Sequence, residues 1–248
     1  MTQDYDRRFS TLSRLYEDAG LKRLEESHVV VIGIGGVGSW AVEALARSGV
    51  GKLTLIDLDN IAESNINRQI HALTSTIGES KVEAMKSRIL EINDRCEVVV
   101  VEDFLTADNL ADYLTHSREN YWILDAMDEV KVKAALIAFA KRNRYKIITT
   151  GAAGGKTRAE DLMIDDLNKT FHDPLCARLK ALLRKDYNFP SHDKKAGVPI
   201  VFSKENSQAK KNVSGGLNCQ GYGSIITVTA TMGMMAASFI INKITGRG

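Results

Sequence analysis

The stretch VVVIGIGGVGSW, Val29 to Trp40, is an apolar run that breaks into glycines and resumes as helix-forming residues. Gly33, Gly35 and Gly38 fit G-x-G-x-x-G, and Gly36 lies within the same turn. Glycines at these positions let a chain turn tightly after a strand, approach a phosphate and pack helix on strand. Downstream, "KLTLID" ends on Asp57, at the distance expected of an acid that takes ribose hydroxyls. The turn alone would serve a nicotinamide dinucleotide or any other adenosine nucleotide.

Outward from this turn, apolar runs alternate with helix-period stretches. Strands are read at "HVVVIG", "KLTLID", "CEVVVV", "YWILDA" and "KIITTG", with helices starting near Gly36, Glu79, Ala107, Glu129 and Asp173. Five strands with right-handed crossovers predict an α/β, doubly wound, Rossmann-like domain with its ligand crevice at the strands' carboxyl ends. Gly33 to Gly38, Asp57, Asp125 and Gly151 all fall there. After Gly151 the alternation weakens, and "DLMIDDL" and "VPIVFS" read as strands flanking the helix "DPLCARLKALLRK". The division expected is a nucleotide-binding domain over 1–155 and a smaller α/β lobe over 156–248 on the same sheet.

The 248 residues can bury a substantial core, and 44% hydrophobic with 26% charged residues fits a soluble globular chain. Cys96, Cys176 and Cys219 are far apart and odd in number, which suggests neither a disulfide framework nor a paired-cysteine zinc site. The N-terminal "MTQDYDRRFS" lacks the apolar core of a signal peptide, so a cytoplasmic protein is expected. His28, His71, His116, His172 and His192 are scattered and imply no metal site. From Ala177 to Asn212 nine Lys or Arg face three acids, a local +6 that leaves the rest at 24 basic against 28 acidic. Lys194, Lys195, Lys210 and Lys211 there, with Lys156 and Arg158 beyond Gly155, are candidate contacts to a polyanion such as RNA; solvated loop charges are the alternative. Leu217 to Asn242 carries no charge over 26 residues, enough to cross a bilayer, but its threonines, serines and glycines favour a helix in the core or a subunit interface over membrane contact.

The nucleotide is decided by "IDLDNIAESNINRQIHA", "IGESKVEAM" and "ILDAMDEV". Arg68 offers a planar fork suited to phosphate oxygens, and Lys81 sits near a helix start where a second cation meets more phosphate. Asp125 and Asp128 follow the fourth strand, where a carboxylate can hold Mg²⁺ together with substrate phosphates. Taken singly, Arg68 or Lys81 reads as a surface ion-pair member and Asp125 or Asp128 as a helix cap. Their joint placement at one end of one sheet points to a triphosphate.

The set "GIGGVGS", "IDLD", "NINRQ", "ESK" and "DAMD" resembles the adenylating superfamily of ubiquitin-activating enzymes and bacterial sulfur-carrier adenylyltransferases (HesA/MoeB/ThiF). The resemblance implies that Asp57, with Asp59 beside it, binds ribose, that Asn65, Arg68, Gln69 and Lys81 surround the phosphates of ATP, and that Asp128 coordinates Mg²⁺. Gly33, Gly35, Gly36, Gly38 and Asp125 complete the expected nucleotide site. It also implies a homodimer in which Arg8, or failing that Arg7, reaches the neighbour's ATP, and it leaves room for a monovalent cation.

Within the superfamily, "NRQIHAL", "TTGAAGGK", "DLNKTFHDPLCARLK", "VFSKE" and "GYGSIITVTATMGM" look like the tRNA threonylcarbamoyladenosine dehydratases. That resemblance covers nearly the whole chain and implies ATP-dependent cyclisation of a carboxylate-bearing tRNA base through an acyl-adenylate, with Arg8, Arg68, Lys81 and Asp128 acting on the phosphates. It further implies a link to a cysteine-desulfurase sulfur-acceptor system, in which Cys219 would be a persulfide or acyl acceptor; a small buried residue before a helix is the other reading. The alternative function is adenylation of the C-terminus of a ubiquitin-like sulfur-carrier protein.

Overall fold

The computed structural model describes residues 3–115, 120–206 and 223–247. His116, Lys210, Lys211 and Cys219 lie outside the described residues. Seven strands, β1 (His28–Ile32), β2 (Lys52–Ile56), β3 (Glu97–Val101), β4 (Tyr121–Asp125), β5 (Lys146–Thr150), β6 (Leu162–Asp166) and β7 (Pro199–Ser203), form one sheet in the order β3-β2-β1-β4-β5-β7-β6. All pairings are parallel except β6 with β7. The reversal of direction around β1 and β4 opens a crevice at their carboxyl ends.

Every residue of β1 and β4 is buried, because helices cover both faces of the sheet. Val29 and Val31 point into a core shared with α2 (Gly38–Arg47), α3 (Lys81–Ile92) and α7 (Ile226–Thr245). Val30 and Ile32 point the other way, into a core built with α5 (Val130–Arg142) and α6 (Pro174–Tyr187). The strand period of two thus divides one apolar run between two layers.

The five expected strands are present; four end one residue earlier than the stretch read for them, and β3 begins one residue later, at Glu97. Gly33 leaves the sheet because its φ of +86° is left-handed. The helix expected near Ala107 is a single turn, α4 (Leu110–Tyr113), in which Leu110 alone is buried. A helix not anticipated from the sequence, α1 (Gln3–Glu25), precedes the sheet and is kinked at Glu17, where φ is 60° and ψ 168°. Arg23 anchors it by donating from Nε to the Ile244 carbonyl of α7 at 2.9 Å.

The apolar segment before the C-terminus is α7, packed across α2 with Val228, Met232, Ala236 and Ile240 fully buried. The two helix backbones approach so closely that a Cβ at Gly233 would stand 2.3 Å from the Val37 carbonyl. No helix among the described residues is long and apolar enough to cross a membrane.

Candidate nucleotide-binding site

The turn after β1 is closed by backbone contacts that only glycine permits. Gly33 donates to the Ile56 carbonyl at 2.9 Å, which ties the turn to the end of β2. A Cβ at Gly38 would stand 1.8 Å from the Gly33 carbonyl oxygen. Gly36 is less constrained; its Cβ would meet the Arg68 and Thr229 side chains at 3.2 Å. No side chain caps the start of α2, and within its first turn the Ser39 amide is taken by the Gly35 carbonyl at 3.1 Å, which leaves the remaining N–H groups there for an anion.

Asp57 fastens this turn to β2. Its Oδ2 accepts the Ile34 amide proton at 2.6 Å and its Oδ1 accepts that of Asp59 at 2.9 Å. Burial raises its pKa above the ordinary value, outweighing the pull of Lys81 and the two amides. Lys81, the first residue of α3, donates to Asp59 Oδ2 at 2.6 Å and lies 3.8 Å from Asp57 Oδ1. Its side chain is 7% exposed, whereas that of Asp59 is 61% exposed.

The segment between Asn65 and His71 folds over the glycine turn. Asn65 Oδ1 accepts from the Ala62 amide at 3.1 Å, setting up the short helical turn from which Arg68 and Gln69 follow. Trp40 Nε1 donates to the Arg68 carbonyl at 2.9 Å, and Arg68 Nη1 donates to the Ser64 carbonyl at 2.6 Å and to Asn67 Oδ1 at 2.8 Å. Gln69 is buried beside Gly35, with its Oε1 unpaired among the described residues. His71 donates from Nε2 to the Ile34 carbonyl at 2.9 Å. Burial, opposed by that bond and reinforced by the charge of Lys81, pushes its pKa down to about 4, so the ring is neutral.

Asp125 does not line the nucleotide crevice, contrary to expectation. It is fully buried, receiving Lys133 Nζ at 2.7 Å and the Thr149 hydroxyl at 2.6 Å on Oδ2, and the Met127 amide at 3.1 Å on Oδ1. Lys133, itself fully buried, claims the charge that a metal would have needed. Asp128, three residues on, is exposed, and its carboxylate has no hydrogen-bond or ion-pair partner among the described residues.

Arg8 is not part of this cluster. Its Nη1 donates to the carbonyls of Glu91 and Ile92 at 3.3 and 3.0 Å, at the far end of α3 from Lys81, roughly 18 Å along the 12-residue helix. Arg7 is exposed on the same helix.

The expected tRNA contacts are redistributed. Lys156 is 1% exposed, and its Nζ donates to the Ser203 and Glu205 carbonyls at 3.4 and 3.1 Å, so it braces the loop instead of meeting phosphate. Burial lowers its pKa, against the pull of Asp173, Cys176 and Glu205. Arg158 is exposed and pairs with Asp161. Lys194 and Lys195 are exposed in the loop entering β7, at the amino end of the parallel strands and opposite the crevice. Among the described residues Cys96 and Cys176 are both buried.

Sequence reading missed Trp40, Lys133, Thr149 and Ser224, whose carbonyl accepts from Asn67 Nδ2 at 2.8 Å. Together the geometry offers a glycine turn tied to a buried carboxylate, with Arg68 and Lys81 as cations beside it, at the carboxyl ends of the central strands, and Asp128 follows β4 as an exposed carboxylate; the set suits an adenosine triphosphate.

Known proteins match this arrangement over its whole length. The model of the ThiF family matches residues 5–248. A tRNA threonylcarbamoyladenosine dehydratase of Haemophilus influenzae is 46% identical, across 97% of this chain and 94% of its own. The Escherichia coli tRNA N6-threonylcarbamoyladenosine dehydratase, solved in complex with ATP, superposes with a TM-score of 0.91 at 41% identity, covering 99% of this chain and 97% of that one. A molybdopterin-synthase adenylyltransferase of Escherichia coli matches only 50% of this chain and 49% of its own, at 34% identity. The chain therefore belongs to the ThiF family, among its tRNA threonylcarbamoyladenosine dehydratases.

Proposed function

We propose that the chain binds ATP in the crevice beyond β1, β2 and β4 and uses it to dehydrate threonylcarbamoyladenosine next to the anticodon of tRNA. The observation that carries this reading is the convergence of the uncapped glycine turn, Asp57, Arg68 and Lys81 on one crevice. Full-length similarity to dehydratases supports the substrate, and half-length similarity to a carrier-protein adenylyltransferase gives the alternative less support.

Asp57 accepts from the ribose hydroxyls, and the first amides of α2 receive the phosphates. Arg68 turns from the Ser64 carbonyl, and Lys81 from Asp59, to phosphate oxygens. Held in line, an oxygen of the substrate carboxylate attacks the α-phosphorus, the bond to the β-phosphate bridge breaks, and pyrophosphate leaves with its charge offset by these cations. An atom of the ureido group of the same side chain then attacks the acyl carbonyl. AMP leaves with the carboxylate oxygen, a proton is released, and the nucleoside has lost one water. Both reacting groups belong to one molecule, so no enzyme nucleophile is needed. Asp128, as an unpaired exposed carboxylate, fits Mg²⁺ bound mainly through phosphates, and such an ion would neutralise charge on the pyrophosphate.

Arg8 of α1 meets the far end of α3, too distant to serve its own chain's site, which supports a homodimer in which it completes the neighbour's. The tRNA backbone is taken by Arg158 and Lys204, exposed on the crevice side of the sheet. The test is mass spectrometry of nucleosides from threonylcarbamoyladenosine-bearing tRNA after incubation with the protein, Mg²⁺ and ATP, with mild digestion. An ATP-dependent loss of one water from that nucleoside is expected; an unchanged nucleoside with ATP bound overturns the reading.

A further inference from the structure

Phe171 is 46% exposed although it is held rigidly. Its ring stands edge-on to Phe202 of β7, with centroids 5.5 Å apart, and edge-on to His172 at 5.1 Å. His172 adopts a left-handed backbone, φ 53°, and its Nδ1 donates to the Lys204 carbonyl at 2.9 Å. On either side the chain is pinned, by Lys180 Nζ donating to the Thr170 carbonyl at 2.7 Å and by Asp173 accepting the Ala152 and Cys176 amides at 2.9 and 3.0 Å. A half-exposed phenyl ring is therefore held between fixed neighbours, in a segment that stores backbone strain at His172.

Its place in the fold gives that ring a use. Phe202 lies one residue before the carboxyl end of β7, the end of the sheet where the glycine turn follows β1. Three strand spacings, β1 to β4 to β5 to β7, separate them, roughly 14 Å. A few nucleotides of a single strand span that gap. Lys204 and Arg158 are exposed on the same side, a charge pattern suited to a phosphate backbone.

We infer that Phe171, propped by His172 and Phe202, is a stacking platform for an unpaired base of the tRNA anticodon loop, a few nucleotides from the base being dehydrated. This rests on the tRNA reading of the crevice. An aromatic face with cations beside it is how proteins take single-stranded bases without reading their identity. The platform thus contributes to binding the loop and orienting it, while the reacting atoms meet only the nucleotide crevice.

The test compares wild type with Phe171→Ala, Phe171→Leu and Phe171→Trp, measuring affinity for a threonylcarbamoyladenosine-bearing anticodon stem-loop, affinity for ATP, and dehydration. Stacking on one base predicts that Ala and Leu both weaken stem-loop binding by about 5- to 150-fold. ATP affinity, which also reports an intact fold, stays at the wild-type value, and Trp retains stem-loop affinity with fluorescence quenched on binding beyond any wild-type change. A Leu variant that binds like wild type overturns the platform, since a simple apolar contact would tolerate it. So does an Ala variant with unchanged stem-loop affinity. In either case normal dehydration by wild type would leave the proposed function standing, whereas wild type inert on the modified stem-loop would remove that function and the platform with it.

Discussion

Asp57 Oδ2 accepts the amide proton of Ile34 at 2.6 Å, so the residue proposed to take ribose also holds the glycine turn closed. Asp57→Ala leaves the Ile34 and Asp59 amides without their acceptor. Chemical denaturation is expected to show a loss of about 2 kcal/mol. Titration with ATP is expected to show affinity weakened by more than about tenfold, because a charged hydrogen bond to the ligand is lost as well. An unchanged affinity would place ribose elsewhere.

His71 makes the stability of this region depend on pH. In the unfolded chain the ring protonates near its ordinary 6.5, but in the fold only near 4, so its contribution is complete above pH 6.5 and is lost as pH falls towards 4. The shift corresponds to roughly 3 kcal/mol. His71→Gln should flatten the profile of unfolding free energy between those limits, and the His71 ring signal should not titrate by NMR until well below pH 6. A ring that titrates near 6.5 would show that it is not buried.

Two glycines two apart should respond differently to the same added methyl group. Gly38→Ala forces a Cβ onto the Gly33 carbonyl, so the turn cannot close; ATP binding should vanish and stability fall by about 3 kcal/mol or more. Gly36→Ala meets only the side chains of Arg68 and Thr229. Thermal unfolding should change little there while dehydration slows as Arg68 is displaced, and equal melting temperatures for the two variants would contradict this geometry.

The buried pair of Asp125 and Lys133 carries a larger cost when half of it is removed. Lys133→Met leaves a carboxylate fully buried with the Thr149 hydroxyl and an amide as its remaining partners, expected to cost about 3–5 kcal/mol. Removing both charges, with Asp125→Asn and Lys133→Met, should recover part of the loss in a denaturation double-mutant cycle. Strict additivity would mean that the two groups do not act as a pair.

Arg68 is half-buried and Asp128 exposed, and neither lies in the core, so Arg68→Ala and Asp128→Ala should keep the wild-type circular dichroism and melting temperature. Dehydration of the tRNA nucleoside should fall at least about a hundredfold in each, the scale of losing one group that stabilises transition-state charge. Full activity in both would dismantle the proposed phosphate geometry.

The central strands were legible because burial on both faces writes itself as an unbroken apolar run, as in Val29 to Ile32. The glycine turn was legible because Gly38 has no tolerable substitute. Helix α1 was not, since Phe9, Gly20 and Leu24 are its buried positions among mostly exposed polar ones, too sparse for a clear period. The fate of Asp125 depended on Lys133, eight residues on across a strand-to-helix corner, which no local pattern reveals. Lys194 and Lys195 were misplaced because charge density does not say which end of a sheet it occupies. The crossover rule does: α6 must carry the chain back to the amino end before a parallel β7 can begin.

The glycine turn near the start of the chain is roofed by residues near its other end: Thr229 beside Gly36, the Ser224 carbonyl on Asn67, and Gly233 against Val37. During synthesis the strand, turn and helix of Val29–Arg47 emerge long before α7 exists to cover them. A nascent chain therefore holds an incomplete ATP pocket until the region around Ser224 to Gly233 has cleared the ribosome. Competence to spend ATP is expected only once α7 is in place, and a chain arrested short of it would be inert and not wasteful.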